Sequence, residues 1–455
     1  MRNKFLFCAM ILVLMSFFIL APSMTHAAPQ SICISGGDGD WAVISWSCFG
    51  AGAPGAGVDV YIENNVSLSG AQSAGNVTVD TGKSLNTGAN SFTVSNLMIN
   101  STGWFTGTAT VSGNLTDNGS FNGSGQTVSV SGTSFVGSGA TFTAGSGSVA
   151  LNGATTNSGT MTAGASTTFG NDLTNNAGAT FNCGSNTVTF KGNLTANGTF
   201  NCSSGTANFQ GSALQNVGGS GALSFSGLTV NNAAGVTLNQ NASVSGALTF
   251  TSGDLNTGLY TLTLTGATVT GAGGGDVVGN AKRADAFSTG TPYVFNSPNT
   301  LINFSALSVA PTDITINLIK SIPTGFTRAM SRQYTILASG SPVFTATMQL
   351  HYKSSEVTGS IVEANLMPWR YNTVSGRWEL QPGSDVSSGD NSYVQATGVT
   401  GFSLWTLSDN GAPTAVTLST FTASGNSTQN NLMIFGMFGV LILAVGGGGW
   451  MFKHR

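Results

Sequence analysis

The stretch TFNCGSNTVTFKGNLTANGTFNC, Thr180 to Cys202, states nearly the same phrase twice. Phe181-Asn-Cys183 returns further along the chain as Phe200-Asn-Cys202. Extended outward, the echo becomes a rule. Phe121, Phe142, Met161, Phe181 and Phe200 follow one another at intervals of about 20 residues, each closely preceded by glycine. A second anchor recurs beside them as GNLT at 113–116, NDLT at 171–174 and GNLT at 192–195. A near-constant interval of this size marks a solenoid, in which each unit buries its apolar face only by stacking on its neighbours.

The pieces between anchors identify the unit. Short alternating runs such as TVTF (187–190) and SVSGALTF (243–250) read as strands, and no segment keeps a helical period. Asn-Gly, Asn-Asn and Gly-Ser pieces read as tight turns. Coils of about 20 residues with two or three short strands predict an all-β chain with a parallel β-helix over 50–275. Propeller blades need about 40 residues, which counts against that architecture; a β-sandwich is the other competitor. Stacking puts equivalent positions about 4.8 Å apart. Phe121, Phe142, Met161, Phe181 and Phe200 are then one apolar core ladder, and Cys183 and Cys202 are vertical neighbours within disulfide reach. Residues 28–49, with Trp41, Trp46 and a Cys33–Cys48 pairing, are expected to cap the open end.

Composition narrows the function. Only 7% of the 455 residues are charged and 63 are glycine, against about 25% charged in an average soluble domain. Arg2, Lys4, Lys453 and Arg455 lie in the terminal segments, so ten of the 14 basic side chains face 17 acidic ones in the body, about −7. That balance excludes the positive footprint of a nucleic-acid binder.

Both termini read as targeting elements. Residues 1–27 have a basic start, an apolar run and a small-residue exit at Thr25-His-Ala27, the pattern of a secretory signal peptide. Residues 432–452 carry no charge over a length that can cross a hydrocarbon layer about 30 Å thick. Followed by the basic tail 453–455, they predict a transmembrane or sorting helix. A Thr/Ser/Asn-rich linker at 411–431 precedes it. After Gly271 the positive charge rises and longer strand-like runs appear, among them DITINLI (313–319), RQYTIL (332–337) and VFTATMQLHY (343–352). They predict a β-sandwich-like domain at 278–410.

The tail arrangement resembles the tripartite sorting tails of bacterial surface proteins, although no LPXTG sequence precedes it. Residues 278–421, with Gly398-Val-Thr-Gly-Phe-Ser-Leu-Trp-Thr406 and Pro413-Thr-Ala-Val-Thr-Leu-Ser-Thr-Phe421, resemble a C-terminal module of exported bacterial surface proteins. The first half resembles adhesin-like bacterial β-helices in style. These resemblances imply an exported, cell-surface, membrane-anchored protein, or one secreted after tail processing. They imply partners among the membrane, extracellular glycans and envelope proteins, and bring no catalytic motif.

Chemistry is sparse. Asp59, Glu63, Asp80, Asp117, Asp172, Asp254 and Asp276 are the acids of the solenoid, and Lys83 and Lys191 its basic residues. Asp59 and Asp80, close to one period apart and accompanied by Glu63, are the candidate catalytic pair for glycoside chemistry; a solvated face is the plainer reading. Asp38-Gly-Asp40 and Asp385…Asp390 offer oxygen ligands for calcium, and no other cofactor is expected. The cysteine spacing suits no zinc knuckle. In the second domain Glu356, Glu363 and Glu379 accompany His351 and Arg370, a pattern expected of surface ion pairs. The expectation is therefore an anchored structural or adhesive ectodomain, with a polysaccharide-active enzyme on the β-helix, a lyase or glycoside hydrolase, as the alternative.

Overall fold

The computed structural model describes residues 31–409 other than 272 and 327. An eleven-turn parallel β-solenoid leads into a smaller antiparallel part. One inward column records the turns: Leu85, Phe105, Phe121, Phe142, Met161, Phe181, Phe200, Leu223, Ala242, Leu262 and Ala281 are successive register partners. Along each strand buried positions alternate with open ones, which gives the sequence a short period of two inside the long period of the coil.

Aromatic stacking fixes the column. Phe105–Phe121, Phe121–Phe142 and Phe181–Phe200 are stacked at 4.9, 4.7 and 5.3 Å between ring centroids. Each pair adds about 0.5–1.5 kcal/mol beyond the burial of its rings. Disulfide Cys183–Cys202 joins two fully buried positions on neighbouring rungs. Glycine sits where rungs approach too closely for a side chain. A Cβ at Gly198 would lie 2.3 Å from the carbonyl oxygens of both Ala179 and Asn176. The corner, not flexibility, explains this glycine.

The N-terminal end is closed by a hairpin. Ile32–Ser35 runs antiparallel to Trp46–Phe49 and parallel to Asp59–Ile62, with disulfide Cys33–Cys48 linking register partners across the hairpin. Trp41 is buried and packs on Trp46 at 4.7 Å and on Phe92 at 6.0 Å, covering the first coils.

At the other end Val277–Arg283 serves both halves. It pairs in parallel with Leu255–Leu264 below and antiparallel with Ile314–Ile319 beyond. From there Ala329–Ala338, Leu404–Ser408, Met367–Asn372 and Arg377–Leu380 extend the sheet antiparallel. A separate five-stranded antiparallel sheet holds Leu301–Val309, Val343–His351 and Tyr393–Val399, edged by Pro292–Val294 and Gly383–Val386. Both sheets contribute to one continuous apolar core with the solenoid.

One expectation is corrected. Among the described residues no helix is long and apolar enough to cross a membrane. The segment 432–452 expected to span it lies outside the described residues, as do the expected leader 1–27, the linker 411–431 and the basic tail. The membrane anchor is therefore withdrawn, together with the cell-surface placement and membrane partner that rested on it.

Candidate functional site

On one side of the solenoid a polar cleft of about 260 Å³ opens between Asp172, Asn193, Thr195, Asn216, Gly218 and Asn239. Successive coils build it, because Leu173, Leu194 and Val217 are register partners and Val217 in turn pairs with Leu238. Each inward apolar residue fixes its polar neighbour at the mouth. Asp172 Oδ1 accepts from the Asn193 amide N–H (2.8 Å) and Nδ2 (3.1 Å). Asn193 Oδ1 accepts from the Asn216 N–H at 2.8 Å, and Asn239 Nδ2 donates to Asn216 Oδ1 at 3.4 Å. This ladder leaves Asp172 Oδ2 without a donor among the described residues, on a half-buried side chain.

The floor is glycine by necessity. A Cβ at Gly218 would lie 2.8 Å from Asn239 Cβ, and one at Gly219, at φ +138°, would lie 2.2 Å from the Ala196 carbonyl oxygen. Asn216 follows its ladder partner Asn193 by 23 residues, and the extra length falls just before it, between Phe209 and Gln215, because Phe190 pairs with Phe209 but Leu194 with Val217. The cleft thus occurs where the period stretches.

From the cleft an outward column runs back along the same strands: Gly218, Thr195, Thr174, Thr156, Phe135, Thr116, Met98, Thr78 and Tyr61. At ~4.8 Å per strand it extends roughly 38 Å. Phe135, Met98 and Tyr61 are 38%, 42% and 40% exposed, so the hydroxyl track carries three open apolar platforms.

The residues singled out in the sequence lie elsewhere. Val60 pairs with Val77 and Ile62 with Val79, so this coil is short and Asp80 stacks above Glu63, not above Asp59. Asp59 is buried, its Oδ1 accepting from Asn76 N–H (3.0 Å) and Nδ2 (2.9 Å). Asp80 Oδ1 accepts from the Thr81 N–H at 2.8 Å and from Asn100 Nδ2 at 3.3 Å. Register therefore brings Asp80 to Glu63 and leaves Asp59 in another column. Asp38 and Asp40 accept turn amides of Asn65 and Ala42. Asp390 accepts from the Ser355 hydroxyl and amide, which hold its carboxyl below the ordinary range. Asp385 accepts from the Tyr352 hydroxyl at 2.5 Å. Among the described residues no three His, Cys, Asp or Glu side chains are grouped to hold a metal ion.

A second polar cluster joins the two halves. Arg332, fully buried, donates from Nη2 to Asp276 Oδ2 at 2.7 Å and from Nε to Glu356 Oε2 at 2.6 Å. Lys320 reaches Asp276 at 2.9 Å and Asp254 at 2.7 Å. Burial alone would raise the Asp276 carboxyl; Arg332, then Lys320 and His351, overrule it and hold it well below the usual range. His351 donates from Nδ1 to the Ser392 carbonyl, and burial pushes its imidazole below the ordinary value against the pull of Asp276. Every charge in the buried centre of this cluster is matched within it, which makes it a clamp between the halves. Of the other charges noted in the sequence, Arg370 and Glu379 form an open ion pair at 3.6 Å.

No family model, no curated protein and no solved structure matches this chain. The resemblance to anchored, adhesin-like surface proteins accordingly finds no support and is set aside.

Proposed function

We propose that the solenoid is carbohydrate-binding and that its ligand is a neutral glycan, lying along the column from Tyr61 to Gly218 and entering the cleft at Asp172. The observation that carries this reading is the cleft itself: a row of side-chain amides and one open carboxylate oxygen above a floor of glycine. Amide and carboxylate groups in a concave site bind sugar hydroxyls directionally. Phe135, Met98 and Tyr61 offer apolar faces to the faces of sugar rings. No cation lines the cleft, so a polyuronate or sulfated glycan would find no counter-charge there.

Asp172 is the single carboxylate of the cleft, whereas hydrolysis by the usual route takes two. Recognition is thus the step these residues supply. The test is affinity electrophoresis of the full chain through gels containing β-glucan, xylan, mannan or polygalacturonate, with released reducing and unsaturated ends measured in parallel. The expected result is retardation by a neutral glycan, reduced at least about tenfold in Asp172→Ala, and none by polygalacturonate. Retardation only by the anionic polymer, or equal retardation of Asp172→Ala, would overturn the reading. Product formed by the wild type and lost in Asp172→Asn would extend it from recognition to bond cleavage.

A further inference from the structure

A different side of the solenoid carries a flatter and more regular surface. The strands Ser120–Asn122, Thr141–Thr143, Thr160–Thr162 and Thr180–Asn182, with the start of Thr199–Phe209, lie in unbroken parallel register. Each turns a Phe or Met inward and the residues on either side of it outward, and those outward residues are all Thr, Ser or Asn. The result is two columns of short uncharged side chains, spaced about 4.8 Å along the stack and about 6.6 Å across it.

Three properties of this array point to one kind of partner. It is rigid, because stacked Phe rings and the Cys183–Cys202 disulfide lie directly beneath it. Its hydroxyls are open: among the described residues Thr143, Thr160, Thr162, Thr180 and Thr199 make no side-chain hydrogen bond, while Thr141–Ser120 and Asn201–Asn182 contacts at 3.2 and 3.3 Å run along the columns. It carries no charge, so a strongly hydrated ionic surface has nothing to pair with, and an uncharged lattice of donors and acceptors does. A mobile glycan needs none of this regularity; a crystalline solid does.

We propose that this face binds ice. Its two repeats are close to the in-plane repeats of the prism face of hexagonal ice, and paired hydroxyl and methyl groups can hold a layer of water in register with that lattice. Rigidity matters because ordering loose side chains on binding would cost conformational entropy. The cleft side cannot serve in the same way, since Tyr61, Met98, Phe135 and the cleft interrupt its hydroxyls. The proposal is independent of the glycan reading.

The full-chain protein is tested by nanolitre osmometry and by partition into a slowly grown ice hemisphere. The variants are Thr160→Tyr, at the centre of the array, and Thr168→Tyr, an outward position on the strand Ser166–Phe169 of another side. Circular dichroism melts establish that each variant is folded. The expected result is faceted ice growth and enrichment in ice for wild type and Thr168→Tyr, with enrichment reduced at least about tenfold in Thr160→Tyr. Round crystals and exclusion of the wild type from ice would overturn the proposal, as would equal partition of folded Thr160→Tyr. Binding to powdered crystalline cellulose or chitin that Thr160→Tyr abolishes, without any effect on ice, would also overturn it and assign the face to a solid glycan.

Discussion

The two halves of this chain share the strand Val277–Arg283 and are held together in opposite ways. In the solenoid, stability is spread over coils that repeat one solution: a Phe column inside, amide ladders at the corners and almost no charge. In the antiparallel half it is concentrated, with Arg332, Asp276, Glu356 and Lys320 gathered in one buried network. A repeat tolerates the loss of any one contact, because the neighbouring rungs supply the same contact again. A network of unlike charges in a dry interior has no spare member. The network also stands where the repeat stops, so the last coil is fixed by charge where no further coil is stacked on it.

The largest expected effect tests that concentration. Asp276→Asn removes the fully buried carboxylate, leaving Arg332 only the partly exposed Glu356 and Lys320 only outer carboxylates as partners, and should cost ~3–5 kcal/mol in urea unfolding monitored by tryptophan fluorescence. A loss below about 1 kcal/mol would erase the contrast between the halves. The same network is expected to weaken in acid. Asp276 titrates lower in the folded chain than unfolded, so its contribution is present above the ordinary carboxylate value of 3.8 and is lost as pH falls through the lower folded value. His351, also depressed, costs stability once pH drops below its ordinary 6.5, where the unfolded chain takes the proton more readily.

A smaller effect of opposite sign is expected inside the solenoid. Asp117 is fully buried, with Oδ1 accepting from the Gly119 N–H and Oδ2 without a partner. Burial pushes its carboxyl up to about 7 against the backbone amides of Gly119 and Phe121. Because the folded value exceeds the unfolded 3.8, its favourable contribution is complete below that value and is lost as pH rises toward 7. Asn157 and Asn175 occupy matching places and donate from Nδ2 to the carbonyls of Thr180 and Thr199. Asp117→Asn should therefore stabilise the chain by roughly 1–3 kcal/mol at about pH 8 and hardly at all near pH 4. A pH-independent difference would show that the carboxyl is not the cause. The smallest effect belongs to the open pair Arg370–Glu379, where Arg370→Ala should change stability by less than about 1 kcal/mol.

What the sequence made legible follows from the same contrast. The Phe ladder and the cysteine positions could be read because stacking turns a three-dimensional neighbour into a near-constant interval along the chain. The same interval misled where coils deviate. Asp59 and Asp80 are one average period apart, but their coil is shorter: Asp59 meets Asn76 after 17 residues, so the acid nearer to Asp80 is Glu63. The cleft lies on a longer coil, and its sign in the sequence was the extra piece Gln210-Gly-Ser-Ala-Leu214 ahead of Gln215, easily absorbed into the general abundance of small polar residues and glycine. Asp276, Arg332 and Glu356 are separated by 56 and 24 residues in a region without repeats, so no spacing rule could join them.

The central claim is that the cleft between the coils of Asp172 and Asn239, and not the antiparallel half, meets the ligand. Amide hydrogen exchange of the full chain, with and without a saturating neutral glycan that retards it, tests this most directly. The account predicts slowed exchange confined to Asn193, Asn216, Asn239 and the rungs leading back toward Phe135, with the peptides around Arg332 unchanged. Protection confined to the antiparallel half, or absent while the glycan is bound, would contradict it.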